Sequence, residues 1–310
     1  MATVFEPSSG IQAERADDAA WRYEEAFSRN LGLISPEEQS RLRRSHVAIP
    51  GMGGVGGMHL LTLARMGIGR FTIADPDAFE MANFNRQAGA HVHTLGRGKA
   101  EVMAEQALAV NPELELRVFR EAVTEENIDQ FLHGVDLVVD GIDFFAIDAR
   151  RLLFREARRR GIWCVTAGPI GFSAAWLAFD PEGMSFDEYF DLCDDQPRIE
   201  QLIAFAVGLT PKATHLRYLD LSRVNPDSGA GPSASLACQL CSGVVAAESL
   251  KILLGQQDVR PAPYYFQFDA CRRKLVRGVL RRGNRGPMQR AKRAYLRRRL
   301  SAPRRGEREA

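Results

Sequence analysis

Short apolar runs alternate with segments of helical spacing along the first half of the chain. This repetition predicts an α/β fold, a Rossmann-like, doubly wound and mostly parallel sheet with helices on both faces. The runs that predict strands are 46–50, 71–74, 114–119, 135–139 and 163–167. The segments that predict helices are 58–66, 98–110, 124–132 and 146–160, the third with Thr124 as its cap.

The rest of the chain divides around this core by composition. Polar residues 1–20 predict a mobile N-terminus, followed by one domain over 21–260 and a basic extension over 261–310. Within the domain we expect a helical lead-in (21–45), a nucleotide-binding core (46–170), a crossover insertion (184–232) and a closing apolar helix (237–254). Ser35 and Pro36 mark a helix start in the lead-in, since serine caps helices and proline favours their first position.

Composition places the chain among ordinary globular proteins. Its 310 residues are 45% apolar and 26% charged, with five cysteines. We find no apolar run near the roughly 18–20 residues that span a bilayer, no signal peptide and no disulfide framework. These features predict a reduced cytoplasmic protein with no membrane contact.

The net charge of +2 conceals a strong asymmetry. Residues 272–310 contain 16 Lys/Arg and two Glu, whereas the preceding residues contain 25 Lys/Arg and 37 Asp/Glu. Such a basic tail can stay solvated, fold back on its own acidic domain, or contact a polyanion. The sequence leaves these alternatives open.

A glycine-rich turn follows the first predicted strand. GMGGVG at 51–56 fits the G-x-G-x-x-G pattern between a strand and a helix. In that pattern one glycine makes the tight turn, one lets phosphate approach the backbone, and one lets the helix pack on the strand. Asp75 ends the next strand, where an acid is expected to hold the ribose. The turn therefore predicts a nucleotide site, for NAD or ATP.

Charged residues at later strand and helix ends favour ATP. Arg86 and Lys99 supply cations for phosphates, and Asp140 and Asp143 supply carboxylates for Mg²⁺. A nicotinamide site does not require these cations and carboxylates. In a doubly wound sheet these positions line one crevice.

The motifs GxGGxG, D-x-D, N-x-x-R-Q, G-K and D-x-x-D occur in this order, and together they resemble the ThiF/MoeB/HesA family of adenylyltransferases. This family is related to the ubiquitin-activating enzymes. The resemblance covers about 23–254 and is strongest over 29–150. It implies a homodimer that uses ATP and Mg²⁺ to activate a carboxylate as an acyl adenylate with release of pyrophosphate. The carboxylate would belong to a ubiquitin-like or sulfur-carrier protein, a peptide or a small acid.

The resemblance also implies roles for single residues. Asp75 would bind ribose, Asp77 and Asn83 would shape the pocket, and Asp143, with Asp140 as the weaker candidate, would bind magnesium. Arg29 would reach the phosphates bound by the partner subunit. The residues assigned to the phosphates themselves are Gly51, Gly53, Gly54, Gly56, Arg86 and Lys99.

The cysteines depart from the family pattern. Zinc-bearing members have two CxxC pairs, but only Cys238 and Cys241 form one here, so we expect no zinc. Cys193 lies where some members form a thioester, yet three aspartates (191, 194 and 195) surround it and disfavour a thiolate. Adenylation without a thioester is the simpler hypothesis.

Two other functions stay open. One is a nucleotide-binding scaffold that needs a catalytic partner. The other is an NAD-dependent oxidoreductase, which would share the glycine turn but leave Arg86 and Lys99 without a task.

Overall fold

A computed structural model describes residues 3–4, 21–225, 229, 231–256 and 258–300. Apart from Thr3 and Val4, the predicted mobile segment 1–20 lies outside the described residues, as do residues 301–310. The described strands are β1 (Thr3–Val4), β2 (His46–Pro50), β3 (Arg70–Ala74), β4 (Glu115–Phe119), β5 (Leu137–Asp140), β6 (Trp163–Ile170), β7 (Ser173–Phe179), β8 (Tyr264–Asp269) and β9 (Lys274–Val279). The described α-helices are α1 (Tyr23–Ala26), α2 (Pro36–Arg44), α3 (Gly56–Arg65), α4 (Lys99–Val110), α5 (Ile128–Phe131), α6 (Ile147–Arg159), α7 (Phe186–Phe190), α8 (Arg198–Leu209), α9 (Ser235–Leu254) and α10 (Pro287–Leu300).

These strands form one sheet in the order β1-β4-β3-β2-β5-β6-β7-β8-β9. The centre, from β4 to β6, is parallel, and antiparallel strands extend it at both sides. The predicted α/β class and doubly wound sheet are therefore confirmed. The chain order reverses between β2 and β5, and in such sheets ligands bind where the loops after those strands diverge.

Helices cover both faces of the sheet. One apolar cluster joins the sheet to α3, α4 and α9, and a second joins it to α5, α6, α7 and α8. The parallel strand β2 is buried along its whole length, as expected for a strand covered on both faces. Ser35 caps α2 with a capping box, so the helix start predicted there is confirmed.

Several predicted elements differ in extent. The helix predicted over 124–132 is only the single turn α5, because the Asn127 side chain accepts the N–H of Thr124 in a local turn. The strand predicted over 163–167 runs on to Ile170, where it pairs with β7. The strand β7 itself was not predicted.

The later part of the chain is more regular than the sequence pattern suggests. The region 184–232 contains α7 and α8, and the basic region beyond 261 contributes β8 and β9 to the sheet and α10 to its cover. Helix α10 packs on α8, and Arg297 pairs with Glu200. Within the described part, the basic region is thus folded against the domain.

Helix α9 is, by length and composition alone, apolar enough to cross a membrane, contrary to the expectation that no run reaches that length. It packs against β6, β7 and α3, with Cys241 and Val245 fully buried. A core helix of a globular domain has the same composition, and this packing gives α9 that role.

Candidate active site

The glycine turn between β2 and α3 lies against the loop after β5. Gly51 has φ of 85°, a region that glycine adopts readily. A Cβ on Gly51 would collide with the carbonyl oxygen of Gly141, and one on Gly56 with the carbonyl oxygen of Gly51. A Cβ on Gly53, by contrast, would meet nothing closer than the Gln87 Nε2 at 3.7 Å. Gly51 and Gly56 are therefore required for packing, and Gly53 leaves room above the turn.

Asp75 fixes the turn from the end of β3. Its Oδ2 accepts the backbone N–H of Met52 at 2.6 Å, and its Oδ1 accepts that of Asp77 at 2.9 Å. Burial raises the pKa of Asp75, and these two hydrogen bonds oppose that rise. A carboxylate has about four acceptor positions, so Asp75 can still accept hydrogen bonds from a ligand in the cavity.

Lys99 is the first residue of α4, and it lines the same cavity as Asp75. Its Nζ donates to Asp77 Oδ2 at 2.9 Å, and its backbone N–H donates to the Asp77 carbonyl at 2.8 Å. The lysine side chain is buried, whereas the Asp77 side chain is mostly exposed. Asp77 therefore acts on the site by holding the ammonium group of Lys99.

Arg86 and Gln87 line the side of the cavity next to the turn. The Arg86 guanidinium donates to the Ala82 carbonyl and to Asn85 Oδ1, both at 2.9 Å. Gln87 is buried and its Oε1 has no hydrogen-bond partner in the described structure. Gln87 is the last residue of the N-x-x-R-Q motif, and its unpaired oxygen makes it a further candidate for ligand contact, which the sequence pattern alone did not indicate.

Asp140 is neutralised by a buried arginine. Arg150 Nε donates to its Oδ2 at 2.7 Å, Thr166 donates to the same oxygen at 2.7 Å, and the Ile142 N–H donates to Oδ1 at 3.0 Å. Arg150 also donates to the carbonyls of Ile142 and Asp143. Sequence reasoning missed Arg150, since nothing in the pattern marks a helix arginine as buried.

Asp143 lies on the loop that Arg150 holds. It is exposed, lines the cavity, and uses Oδ1 to accept the N–H of Phe145 at 2.9 Å. Among the described residues, no cluster of three or more His, Cys, Asp or Glu side chains could hold a metal ion. A cation here would therefore rely on Asp143 and on oxygen atoms of a ligand.

The structure brings most of the predicted residues together. One cavity of about 870 Å³ contains residues from the turn, from both strand ends and from α4. Of the predicted set, it is lined by Gly51, Gly53, Gly54, Asp75, Asp77, Arg86, Lys99, Asp140 and Asp143. Gly56 does not line the cavity and packs against the Gly51 carbonyl instead.

Two further predicted residues, Asn83 and Arg29, lie outside this lining. Asn83 is buried and accepts the Glu80 N–H at 3.0 Å, so it shapes the 80–83 turn that precedes Arg86. Arg29 lies exposed in a short 3₁₀ helix, Ser28–Asn30, and makes no part of the cavity of its own chain.

The cysteines divide between core and surface. Cys241 is in the core and Cys238 lies under Gly54 at the cavity wall, and burial raises the pKa of both thiols. Cys193 is exposed and does not line the cavity. Its neighbours Asp191 and Asp194 pair with arginines. Their negative charge therefore disfavours a Cys193 thiolate less than the sequence suggests.

Comparison of the chain with known protein families agrees with the geometry of this site. The ThiF family matches residues 27–285. The chain belongs to the ThiF family. The match covers most of the chain and includes every residue assigned above to the site.

Two curated proteins are similar to this chain over part of their own length. A tRNA threonylcarbamoyladenosine dehydratase of Haemophilus influenzae is 35% identical over 150 residues, which are 48% of this chain and 57% of that protein. A probable adenylyltransferase/sulfurtransferase, MoeZ, of Mycobacterium tuberculosis is 26% identical over 260 residues, 81% of this chain and 57% of MoeZ. The chain thus spans little more than half the length of these curated relatives.

A solved structure supports the fold. The tRNA N6-threonylcarbamoyladenosine dehydratase TcdA of E. coli, in complex with ATP, superposes with a TM-score of 0.56 at 24% identity. The similarity covers 75% of this chain and 95% of TcdA. At this identity, the similarity establishes a shared fold.

Proposed function

We propose that this ThiF-family chain is an ATP-dependent adenylyltransferase that activates a carboxylate as an acyl adenylate and releases pyrophosphate. The observation that carries the proposal is the single cavity in which the glycine turn, Asp75, Lys99, Arg86 and Asp143 meet. Two relatives add support, since MoeZ is named an adenylyltransferase/sulfurtransferase and TcdA is described in complex with ATP. The carboxylate would be a carrier-protein or peptide C-terminus, or a small acid.

The turn and Asp75 would hold the nucleotide. Backbone N–H groups at the start of α3 face an anion favourably, because the helix dipole is positive there. The open space above Gly53 lets phosphate oxygens approach the backbone. The acceptor positions left on Asp75 suit the ribose hydroxyls.

Arg86 and Lys99 would stabilise the charge that develops during transfer. An oxygen of the substrate carboxylate attacks the α-phosphorus, the new P–O bond forms, and the bond to the β-phosphate oxygen breaks as pyrophosphate leaves. Carboxylic acids are ionised at neutral pH, so this step needs no protein base. The chain contributes position and fixed positive charge.

Asp143 fits a magnesium ion shared with the phosphates. Mg²⁺ is usually held by one or two carboxylates together with substrate phosphates and water. Asp140 is a poor second ligand, because Arg150 and Thr166 already occupy its Oδ2. When bound, the ion would neutralise phosphate charge, and Asp143 would set its position.

We include three further features in the proposal: a homodimer, a cytoplasmic location and contact of the basic region with a polyanion. The position of Arg29 outside its own cavity suits a residue that completes the partner's site. The described residues 272–300 contain 13 Lys/Arg and no Asp/Glu, and the carboxylate pairs described among them involve Arg285, Arg293 and Arg297. Lys292 donates to the Pro211 carbonyl, and the exposed basic side chains that remain would be available to an anion.

The test is ATP–pyrophosphate exchange with a panel of carboxylates, including glycine-terminated carrier proteins. We expect exchange that requires the carboxylate and is lost in Asp143→Ala but kept in Asp148→Ala, an exposed aspartate outside the cavity lining. ATP binding without exchange for any acid would favour the scaffold alternative. Binding of NAD in preference to ATP would favour the oxidoreductase.

A further inference from the structure

The cavity continues beyond the glycine turn into a part with different chemistry. We call this part the apolar chamber. It lies between α8, the 213–224 segment and α10, and its walls include Ile203, Leu209, Leu216, Leu219, Leu296 and Leu300. The charged residues of the nucleotide end, Arg86 and Lys99, lie at the other end with the turn. One continuous space thus joins a phosphate-binding surface to an apolar one.

Three of the polar side chains around the apolar chamber are already engaged, whereas the buried Nδ1 of His215 has no hydrogen-bond partner among the described residues. Thr210 Oγ1 donates to the Ala206 carbonyl at 2.9 Å, and Lys292 Nζ donates to the Pro211 carbonyl at 2.5 Å. Arg150 is paired with its buried aspartate, as described above. A polar substrate group entering the chamber would lose water without gaining these partners, which is unfavourable.

His215 also lines the chamber and does not add charge. Burial lowers its pKa to about 4, although Asp269 partly opposes that change. It is therefore neutral at neutral pH. The chamber suits a neutral apolar group.

The outer rim of the cavity is apolar as well. Ile199, Leu216 and Tyr295 are 40%, 41% and 54% exposed, and all three line this one cavity. Clustered exposed apolar side chains mark a binding surface more often than scattered ones do. The rim therefore extends the apolar wall from the chamber to solvent.

We propose that the carboxylate substrate carries an aliphatic or aromatic group next to its carboxylate, and that this group occupies the apolar chamber. The proposal rests on the adenylyltransferase function proposed above and names its substrate class. A diglycine tail has no side chain, so it would leave water against these walls. An apolar group in the chamber would remove its own surface and that of the chamber walls from water, and this burial favours binding.

The first test compares carboxylates that differ only in the group beside the carboxylate. N-acetylated dipeptides ending in Gly, Ala, Leu or Phe are used in ATP–pyrophosphate exchange with the full chain. We expect kcat/KM to rise by about tenfold or more from the glycine to the leucine peptide, since even one methylene in an apolar pocket discriminates by about tenfold. Equal rates, or a preference for glycine, would overturn the proposal and leave the adenylyltransferase function intact.

The second test changes the chamber and leaves the nucleotide end untouched. Leu216→Glu and Leu296→Glu place a carboxylate in the walls, and Leu275→Glu makes the same change at an exposed leucine on β9 that lines no part of the cavity. We expect a loss of about tenfold or more in kcat/KM for the leucine peptide in the two chamber variants only. The Kd of ATP should stay unchanged in all three. A chamber variant with wild-type kinetics for the leucine peptide would contradict the proposal.

A third measurement does not depend on catalysis. Anilinonaphthalene sulfonate, a dye with apolar aromatic rings that fluoresces in apolar sites, is titrated into protein saturated with a non-hydrolysable ATP analogue. We expect saturable binding that the leucine peptide displaces and that Leu216→Glu weakens by about tenfold, the glycine peptide having no effect. Displacement by both peptides alike, or no saturable binding, would overturn the apolar chamber as a site. If ATP itself does not bind, the proposed function fails, and the substrate proposal fails with it.

Discussion

Arg150 donates a hydrogen bond from Nε to Asp140 at 2.7 Å, and both side chains are almost completely buried. The same guanidinium donates to the backbone carbonyls of the loop that carries Asp143 and lies 4.6 Å from the centre of the Phe205 ring. Asp140 therefore has a structural task, and Asp143 keeps the exposed position at the cavity. The two acids of the D-x-x-D motif therefore have different roles.

Removing Arg150 should leave the Asp140 charge buried and unpaired. We expect Arg150→Met to lower the free energy of unfolding by about 3–5 kcal/mol, measured by urea denaturation. The double variant Arg150→Met with Asp140→Asn should recover part of this loss. If Asp140 were instead a metal ligand, Asp140→Asn would raise the Mg²⁺ concentration needed for exchange, and we expect no such change.

Two of the glycines in the turn, Gly53 and Gly56, should respond differently to substitution by alanine. In Gly56→Ala the new methyl meets the Gly51 carbonyl oxygen, so we expect a large fall in Tm or failure to fold. In Gly53→Ala the methyl has room, so we expect a normal Tm but ATP binding weakened by about tenfold or more, because the methyl stands where phosphate approaches. Gly243→Ala, within α9 and with nothing near its Cβ, is the control for both measurements.

Asp77 should act through Lys99. We expect Lys99→Met to reduce the exchange rate by about 10²–10³-fold, since it removes one positive group aimed at developing charge. Asp77→Asn should have a smaller effect, and the double variant should be no worse than Lys99→Met alone. Fully additive effects would show that Asp77 contacts the substrate by itself. Arg97→Met breaks the ion pair of a more exposed cation with Glu105, away from the cavity, and should leave the rate unchanged.

His59 should make the fold sensitive to acid. It is completely buried in α3 with neither ring nitrogen hydrogen-bonded, and burial lowers its pKa to about 3. Because the pKa of the unfolded state is about 6.5, the unfolded chain gains a proton below that pH and the folded chain does not. The folded state therefore loses stability as pH falls from about 6.5 towards 3, by about 1.4 kcal/mol per pH unit.

We expect His59→Leu to reduce that slope between pH 6.5 and 5, a range chosen to lie above most carboxylate titrations. The readout is urea denaturation at each pH. His133→Leu, at an exposed histidine, is the control and should keep the wild-type slope. Burial also lowers the pKa values of His46 and His215 to about 4, so these two histidines should keep part of the slope in the variant. An unchanged slope in His59→Leu would show that His59 does not contribute to acid sensitivity.

Arg29 should complement a defect in the partner subunit. Arg29→Ala and Asp143→Ala proteins are each expected to be inactive in exchange. After mixing and subunit exchange, half of the dimers are mixed and one of their two sites is complete, so about a quarter of wild-type activity should return. Arg22→Ala, at an exposed arginine just before α1, should be active on its own. No recovery in confirmed mixed dimers would count against an arrangement in trans.

The sequence by itself determined the parallel core and most of the residues that meet at the glycine turn. Both rest on local signals, since buried strands, capped helices and a glycine turn are encoded within a few residues. The turn, Asp75, Arg86, Lys99 and Asp143 were therefore found by pattern, and the fold places them in one cavity.

Only the tertiary structure decided the remaining features. β7 forms a hairpin with β6, and β8 forms one with β9, but the pairing that joins β8 and β9 to the sheet brings Ser173 to Asp269, far along the chain. Helix α10 likewise depends on contacts with α8, so no local pattern predicts where these elements lie. Arg150 looks like any helix arginine until Asp140 is seen beside it. The apolar chamber likewise exists because α8 and α10 converge from segments about 90 residues apart, a distance across which sequence periodicity carries no information.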